Sequence, residues 1–331
     1  DRFTPATSSV LETMINATYD TNEVAIFTGG PEIGQAFSNL PLDHLLFTGA
    51  TSVARHIMAA AARNLVPVTL ELGGKSPVIV SRTADLETTL QRIMMGKTMN
   101  AGQICLAPDY LLVPEEKLHE VIATAQKVVA SMYPSLLGNE QYTSVVNERH
   151  YQRLTGYLAE ARERGVNTIE INPANEDFSQ QQGTYKIPPT LIPEPPEDLK
   201  VLQEEIFGPL LPIKTYREFS ETIDYVNAKP RPLAAYYFGS DPEEQIAVET
   251  RTTSGGMCIN DVIMHIGQED LPFGGVGPSG MGSYHGLEGF RTFSHAKSIY
   301  RQTKFNFGKL SGMLPPYNKA TEKSIKMQLK K

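Results

Sequence analysis

Residues 44–74 read HLLFTGATSVARHIMAAAARNLVPVTLELGG, and this stretch decides the fold. His44-Leu45-Leu46-Phe47 is a short apolar run that stops at Thr48-Gly49. Ser52 to Asn64 is rich in alanine, the strongest helix former. Val66 to Leu72 is a second run with β-branched residues, broken by Gly73-Gly74. A strand, a helix and a strand in succession predict a parallel pair with a crossover helix. Upstream, Thr4-Pro5 predicts a helix over about residues 6–18, and Glu23-Val24-Ala25-Ile26-Phe27 predicts another strand, ending in Thr28-Gly29-Gly30-Pro31 before a short helix.

The same alternation continues to about residue 275, so the predicted fold class is α/β with parallel sheet. Helices are expected over Leu86–Gly96, Pro114–Met132 and the amphipathic stretch Asn147–Arg164. Asn172–Gly183 reads as a polar surface loop, and Pro188–Pro196, with five prolines, as extended or looped chain. Gly274–Gly286 is glycine-rich and implies tight turns. Five lysines follow Tyr317, and this basic tail reads as a solvated extension. The chain opens Asp1-Arg2-Phe3-Thr4-Pro5 without an initiator Met, which leads us to expect that an N-terminal portion is lacking.

Composition narrows the function. A formal net charge of -7 argues against a nucleic-acid backbone as the main ligand. Two cysteines in 331 residues make no disulfide framework, so a reducing, cytoplasmic setting is expected. No apolar run approaches the roughly 20 residues of a membrane span. The seven histidines show no metal-ligand spacing.

Five places carry chemistry. A strand, a glycine and a helix start together make the geometry that receives a phosphate, and this occurs at Gly30–Gly34 and at Gly49-Ala50. Neither matches G-x-G-x-x-G, so both also read as plain turns. Cys105, in Asn100-Ala101-Gly102-Gln103-Ile104-Cys105-Leu106-Ala107-Pro108, falls between a helix ending near Gly102 and a strand starting near Asp109. It is either a nucleophile facing a cleft or an inert buried thiol. Glu71 ends an apolar strand before two glycines, where open α/β sheets place their ligand sites. Partial burial would lift it into the range of a general base; the plainer reading makes it a partner of Lys75 or a surface residue. In Glu204-Glu205-Ile206-Phe207-Gly208-Pro209, Glu205 and Phe207 share a face if the segment is extended, one to hold a ribose hydroxyl and one to pack on a planar ring. The alternative is a strand edge before a turn. Cys258, in Ser254–Asn260, reads as part of a buried strand.

Taken in order, Phe47-Thr48-Gly49, Leu70–Lys75, Asn100–Cys105, Glu204–Pro209 and Pro272-Phe273-Gly274-Gly275 resemble the aldehyde dehydrogenase superfamily from about residue 1 to about residue 300. Cys105-Leu106-Ala107-Pro108-Asp109-Tyr110 and Ser279-Gly280-Met281-Gly282-Ser283-Tyr284-His285-Gly286 look like its class 3 and coniferyl aldehyde dehydrogenase branch. The resemblance implies an incomplete Rossmann-type cofactor domain over 1–73, a catalytic domain over 74–275, a glycine-rich return segment and oligomerisation strand over 276–305, and the basic tail over 306–331. It implies that Cys105 is the nucleophile and Glu71 the base, and that NAD or NADP is the cofactor. Glu205 would meet the nicotinamide ribose, Phe207 would pack near the nicotinamide, and Leu72 would be a further cofactor contact. Gly30 and Gly34 would lie by the dinucleotide and Gly49-Ala50 by the pyrophosphate, where Ala50 lacks the serine hydroxyl common in the family.

The implied reaction oxidises an aromatic, phenylpropenal or medium-chain aliphatic aldehyde to its acid through a Cys105 thiohemiacetal and thioester. A homodimer built on a late strand at about His295–Arg301 is expected. The family's oxyanion-hole Asn and adenine-ribose Lys would precede residue 1, so the segment alone is expected to be inactive or poorly folded. Asp1 and Arg2 pull cofactor preference in opposite directions, Arg2 favouring a 2′-phosphate. The competing readings are a cofactor-independent thiol esterase or acyltransferase and an inactive binding protein.

Overall fold

The computed structural model describes residues 4–181 and 183–329; Asp1 and Arg2, and with them the cofactor-preference expectation, lie outside the described residues. The chain divides into two compact units, Asp1–Phe293 and Ser294–Lys331.

The first unit opens with α1 (Pro5–Thr18) and α2 (Pro31–Ser38), each started by a proline whose missing N–H costs nothing at that position. Then comes the unit that the opening stretch predicts: β1 (Leu45–Thr48), α3 (Thr51–Ala62) and β2 (Val68–Glu71). The two strands are parallel, in register from Leu45↔Val68 to Thr48↔Glu71. Ala54 and Ala61 are buried against Leu70 and Leu45, so the small side chains of α3 bring it close to the strands. The predicted strand at Glu23–Phe27 is not formed. Residues 24–29 run as irregular chain, with Phe27 68% exposed, because no neighbouring strand offers the run a ladder. The strand–glycine–helix arrangement therefore exists at Gly49-Ala50 but lacks its strand at Gly30.

A seven-stranded sheet follows: β3 (Pro77–Val80), β4 (Tyr110–Pro114), β5 (Ile169–Glu170), β6 (Thr190–Pro193), β7 (Leu210–Tyr216), β8 (Ala234–Phe238) and β9 (Gly256–Ile259), in the order β5-β6-β7-β4-β3-β8-β9. All neighbours are parallel except β5 with β6. β3, β4 and β8 are buried at every residue, as expected of parallel strands covered on both faces. On one face α4 (Leu86–Thr98) and α5 (Leu118–Met132) pack Leu90, Ile93, Met94, Val121 and Val129 onto Val78, Leu111 and Tyr236. Each such fully buried side chain contributes roughly 1.5–3 kcal/mol. On the other face α8 (Phe219–Ala228) and α9 (Pro242–Arg251) pack Ile223, Val226 and Val248. A satellite core joins α6 (Glu148–Glu163) and the short α7 (Lys200–Gln203) to Ile192, Ile206 and Leu210. Cys258 is buried in β9 within the main core, as expected.

The chain then returns to the first sheet. β10 (Gly280–Met281) runs antiparallel to β2 with Gly280 opposite Glu71, and α10 (Gly286–Thr292) follows. A Cβ at Gly280 would stand 2.4 Å from the Leu70 carbonyl oxygen, so only glycine fits this approach.

In the second unit, residues 294–303 form no ladder, so the late strand at His295–Arg301 is not formed; a strand expected to pair with another subunit has no neighbour within one chain. The basic tail is more ordered than the solvated extension expected of it. It forms α11 (Phe307–Leu310) and α12 (Lys319–Gln328), the latter started by a capping box in which Asn318 and Thr321 exchange hydrogen bonds. Among the described residues no helix is long and apolar enough to cross a membrane.

Candidate active site

Glu71 is the last residue of β2, flanked by Thr48 of β1 and Gly280 of β10. Its side chain is buried and its Oε1 has no hydrogen-bond partner. Desolvation pushes its pKa up to about 7, because the charged form has lost water and gained no cation. Lys75 is not its partner. That ammonium is ion-paired with Asp109 and donates to the carbonyls of Val201 (2.8 Å) and Glu204 (2.9 Å).

Cys105 follows a turn in which Asn100 (φ 50°), Ala101 (φ 53°) and Gly102 (φ 72°) are all left-handed. Each non-glycine residue there costs roughly 1–2 kcal/mol, so the turn needs outside support. Gln103 supplies it. Its amide donates to the carbonyls of Asn100 and Ser144, both at 3.0 Å, and its oxygen accepts from the Val146 N–H at 2.8 Å. After the cysteine, the Tyr236 hydroxyl donates to the Leu106 carbonyl (2.6 Å) and the Lys97 ammonium to the Pro108 carbonyl (2.9 Å). Burial drives Cys105 up to about 11, with Glu205 and Glu71 adding repulsion, while the Cys105 and Leu106 N–H groups oppose them. Both carboxylates are therefore within electrostatic reach of the thiol.

The Glu204–Pro209 segment closes on the same place. Asp109 Oδ2 accepts the Ile206 N–H (2.9 Å), and Arg153 of α6 donates to the carbonyls of Glu205 (3.1 Å) and Ile206 (2.7 Å). A Cβ at Gly102 would lie 2.4 Å from the Gly208 carbonyl oxygen, which packs the Asn100–Gly102 turn directly on this segment. Glu205 rests on the Gly73-Gly74 turn, and desolvation raises it to about 7. Phe207 has φ 44°, so the segment is not extended, and the shared face expected for Glu205 and Phe207 does not follow; the left-handed residue breaks the period of two. Tyr284 completes the site: besides burial, Glu71 and Cys105 raise its hydroxyl.

The cofactor candidates divide. At Gly49-Ala50 the first turn of α3 has no side-chain cap and no acidic residue, while the Gly49 N–H is taken by the Glu71 carbonyl (3.0 Å). At Gly30 the N–H is bound by the Glu32 carboxylate (3.0 Å), which takes the place of an anion. Gly34 has open space where a side chain would be. Leu72 is buried beside Ala54 and Leu70, with its N–H on the Ser279 carbonyl (3.1 Å). Among the described residues no group of three or more His, Cys, Asp and Glu could hold a metal ion.

Sequence reasoning missed Gln103, Asp109, Arg153, Tyr236 and Tyr284. Gln103, Asp109 and Tyr284 stood inside the motifs quoted for the resemblance without being given a role; Arg153 and Tyr236 left no trace.

The family model described as "Aldehyde dehydrogenase family" matches residues 1–299. A "Probable coniferyl aldehyde dehydrogenase" from Caulobacter vibrioides is 57% identical over 329 residues, covering 99% of this chain and 68% of that protein. The chain spans about two thirds of the length of the curated relatives it matches. Among solved structures, the "Substrate bound state of Staphylococcus Aureus AldH" is similar with a TM-score of 0.89 and 39% identity, over 99% of this chain and 69% of that one. The Mycobacterium tuberculosis aldehyde dehydrogenase complexed with NAD+ gives a TM-score of 0.75 at 29% identity, over 84% and 57%. The chain belongs to the aldehyde dehydrogenase family.

Proposed function

We propose that the protein oxidises an aldehyde to its carboxylic acid with NAD or NADP, using Cys105 as nucleophile and Glu71 as base. The observation that carries this reading is the buried Glu71 carboxyl: unpartnered at Oε1, held near pKa 7, and close enough to raise the Cys105 thiol.

The chemistry follows from those states. Cys105 rests as a thiol, so its attack needs a base, and Glu71 takes the proton as sulfur bonds to the carbonyl carbon. The oxyanion that forms lies by the Cys105 backbone N–H. When bound, a nicotinamide supplies the hydride acceptor. Loss of hydride leaves a thioester on Cys105. Glu71, having given its proton to solvent, then deprotonates a water that attacks the thioester carbon, and the acid leaves as the thiol is restored. Gly49-Ala50 at the start of α3 would receive the pyrophosphate, with Gly30 and Gly34 nearby; Glu205 would hold the ribose, and Phe207 and Leu72 would flank the nicotinamide.

The Caulobacter relative's name points to an aromatic, phenylpropenal substrate. We also propose a homodimer, supported by the ladder-free stretch before residue 304, where Ile299 and Tyr300 are 70% and 76% exposed. The test is a panel of aryl, phenylpropenal and medium-chain aliphatic aldehydes on the full-length natural protein, with NAD and with NADP, read by the near-ultraviolet absorbance of the reduced cofactor. We expect turnover that is fastest with phenylpropenals. Ester hydrolysis without any cofactor reduction would overturn the assignment.

A further inference from the structure

The proposed reaction needs an exit for one proton. Glu71 takes it from the Cys105 thiol and must lose it again before it can deprotonate a water. Yet the Glu71 side chain is only 4% exposed, and its Oε1 has no partner to receive the proton.

Tyr284 stands where such a carrier is needed. β10 sets Gly280 opposite Glu71, and the chain then turns back to Tyr284. There Tyr284 and Phe273 exchange backbone hydrogen bonds of 2.8 and 3.0 Å, and the Thr292 hydroxyl donates to the Ser283 carbonyl (2.7 Å). The Tyr284 ring meets Phe273 edge-on at 5.8 Å and His285 edge-on at 4.9 Å. His285 holds φ 109°, which costs a non-glycine residue roughly 1–3 kcal/mol and persists only where the surroundings enforce it. The backbone and ring are thus fixed.

The hydroxyl, by contrast, is uncommitted. Tyr284 is half-buried and its hydroxyl makes no hydrogen bond to a described residue, so it is free to pair with water. Glu71 and Cys105 both act on it electrostatically, and Cys105 and Tyr284 pack against the same core. The other polar groups of the site are engaged elsewhere. Tyr236, which also feels Cys105, donates to the Leu106 carbonyl (2.6 Å). Lys75 is paired with Asp109, Lys97 donates to the Pro108 carbonyl (2.9 Å), and Glu205 is seated on Gly73.

We propose that the Tyr284 hydroxyl relays the Glu71 proton to solvent between formation of the thioester and its hydrolysis. Protonated Glu71 donates to the Tyr284 oxygen, directly or through one water, as the Tyr284 O–H proton passes to a water outside. The Glu71 O–H bond breaks, a new O–H bond forms on the tyrosine, and the tyrosine stays neutral. The net change is a carboxylate at Glu71 and a hydrated proton in solvent. Tyr284 acts through Glu71 and not on the substrate. The inference rests on the aldehyde-oxidising reading and adds the route by which its base is regenerated.

The test is Tyr284→Phe in the full-length protein. It keeps the ring against Phe273 and His285 and removes a hydroxyl that bonds to nothing in the fold. At about pH 8, where Glu71 starts mostly ionised, aldehyde with NAD or NADP should give a first burst of reduced cofactor at the wild-type rate, because the proton moves only as far as Glu71. Steady turnover should then slow by about 10²-fold, with the acyl mass held on the Cys105 peptide. An activated aryl ester, which acylates Cys105 without any cofactor, should show the same split between fast acylation and slow release. Imidazole, added as a mobile proton carrier, should restore part of the steady rate in the variant and leave wild type unchanged; a defect of packing alone would not respond to it. A wild-type steady rate in Tyr284→Phe, a burst slowed as much as turnover, or no response to imidazole overturns the proposal. Wild-type protein that reduces neither cofactor with any aldehyde sinks the aldehyde-oxidising reading itself.

Discussion

The Glu205 carboxylate fills the space that a side chain at Gly73 would need: a Cβ there would stand 2.0 Å from Glu205 Oε1. The glycine pair that interrupts the chain after Glu71 thus seats a carboxylate from the Glu204–Pro209 segment. One turn therefore fixes the end of the first sheet and the proposed ribose contact together.

Gly73→Ala should push Glu205 off this turn. We expect the KM for the cofactor to rise by on the order of tenfold with little change in stability, because the displaced atoms are the free end of a flexible side chain. Gly156→Ala is the control, since a Cβ there meets nothing within 4 Å on α6. That variant should gain about 0.5–1 kcal/mol from helix propensity alone. Initial rates against cofactor concentration and urea unfolding check both.

Glu71 makes stability depend on pH with a definite sign. Its pKa rises from 4.5 to about 7 on folding, so the folded chain holds this proton more tightly than the unfolded one. The stability linked to it is complete below about pH 4.5 and is lost as pH rises through 7. Glu71→Gln stays neutral throughout. Relative to wild type, the variant's Tm should therefore climb between pH 5 and pH 8, by about 2 °C or more at the upper end. A Tm difference that is flat with pH contradicts the raised pKa.

Cys105, pushed up to about 11, should label slowly at neutral pH. With substrate and cofactor absent, the rate of iodoacetamide labelling at Cys105 should rise about tenfold per pH unit from pH 7 to pH 9. Peptide mapping separates it from Cys258. A plateau reached by pH 7 would mean that the thiol is already ionised.

Asp109 links Lys75 to the Ile206 N–H, and so joins the chain just after β2 and just before β4 to the Glu204–Pro209 segment. Asp109→Leu leaves a buried ammonium without its partner and should cost about 3–5 kcal/mol; adding Lys75→Met should recover much of that. Urea unfolding of the single and double variants measures the coupling.

The sequence revealed what local chemistry controls and little of what distant packing controls. The Leu45–Glu71 strand–helix–strand unit was legible because apolar runs, alanines and glycines carry it locally. The break at Phe207 was not, because its left-handed backbone is imposed by Asp109, Arg153 and the Gly102 contact, all distant in sequence. The run at Glu23–Phe27 has strand composition but no strand beside it, and composition cannot supply a neighbour. Glu71 and Cys105 were legible as candidates. The supports of the strained turn, Gln103 and Tyr236, were not, since a lone Gln or Tyr carries no signal until its carbonyl partners are placed. The tail helices were missed although Asn318 and Thr321 spell a capping pair, because the lysine run drew the reading towards solvent.

The central claim is that Cys105 carries the acyl group and Glu71 releases it. Glu71→Gln in the full-length protein, mixed with aldehyde and NAD or NADP and quenched in acid, tests it directly. We predict no rapid burst: the first turnover and the hydrolysis both slow by about 10²–10⁴, since Glu71 serves both steps, and the acyl mass that accumulates is on the Cys105 peptide. Steady turnover at the wild-type rate, or an acyl group found on Cys258 or on no cysteine, would contradict the account.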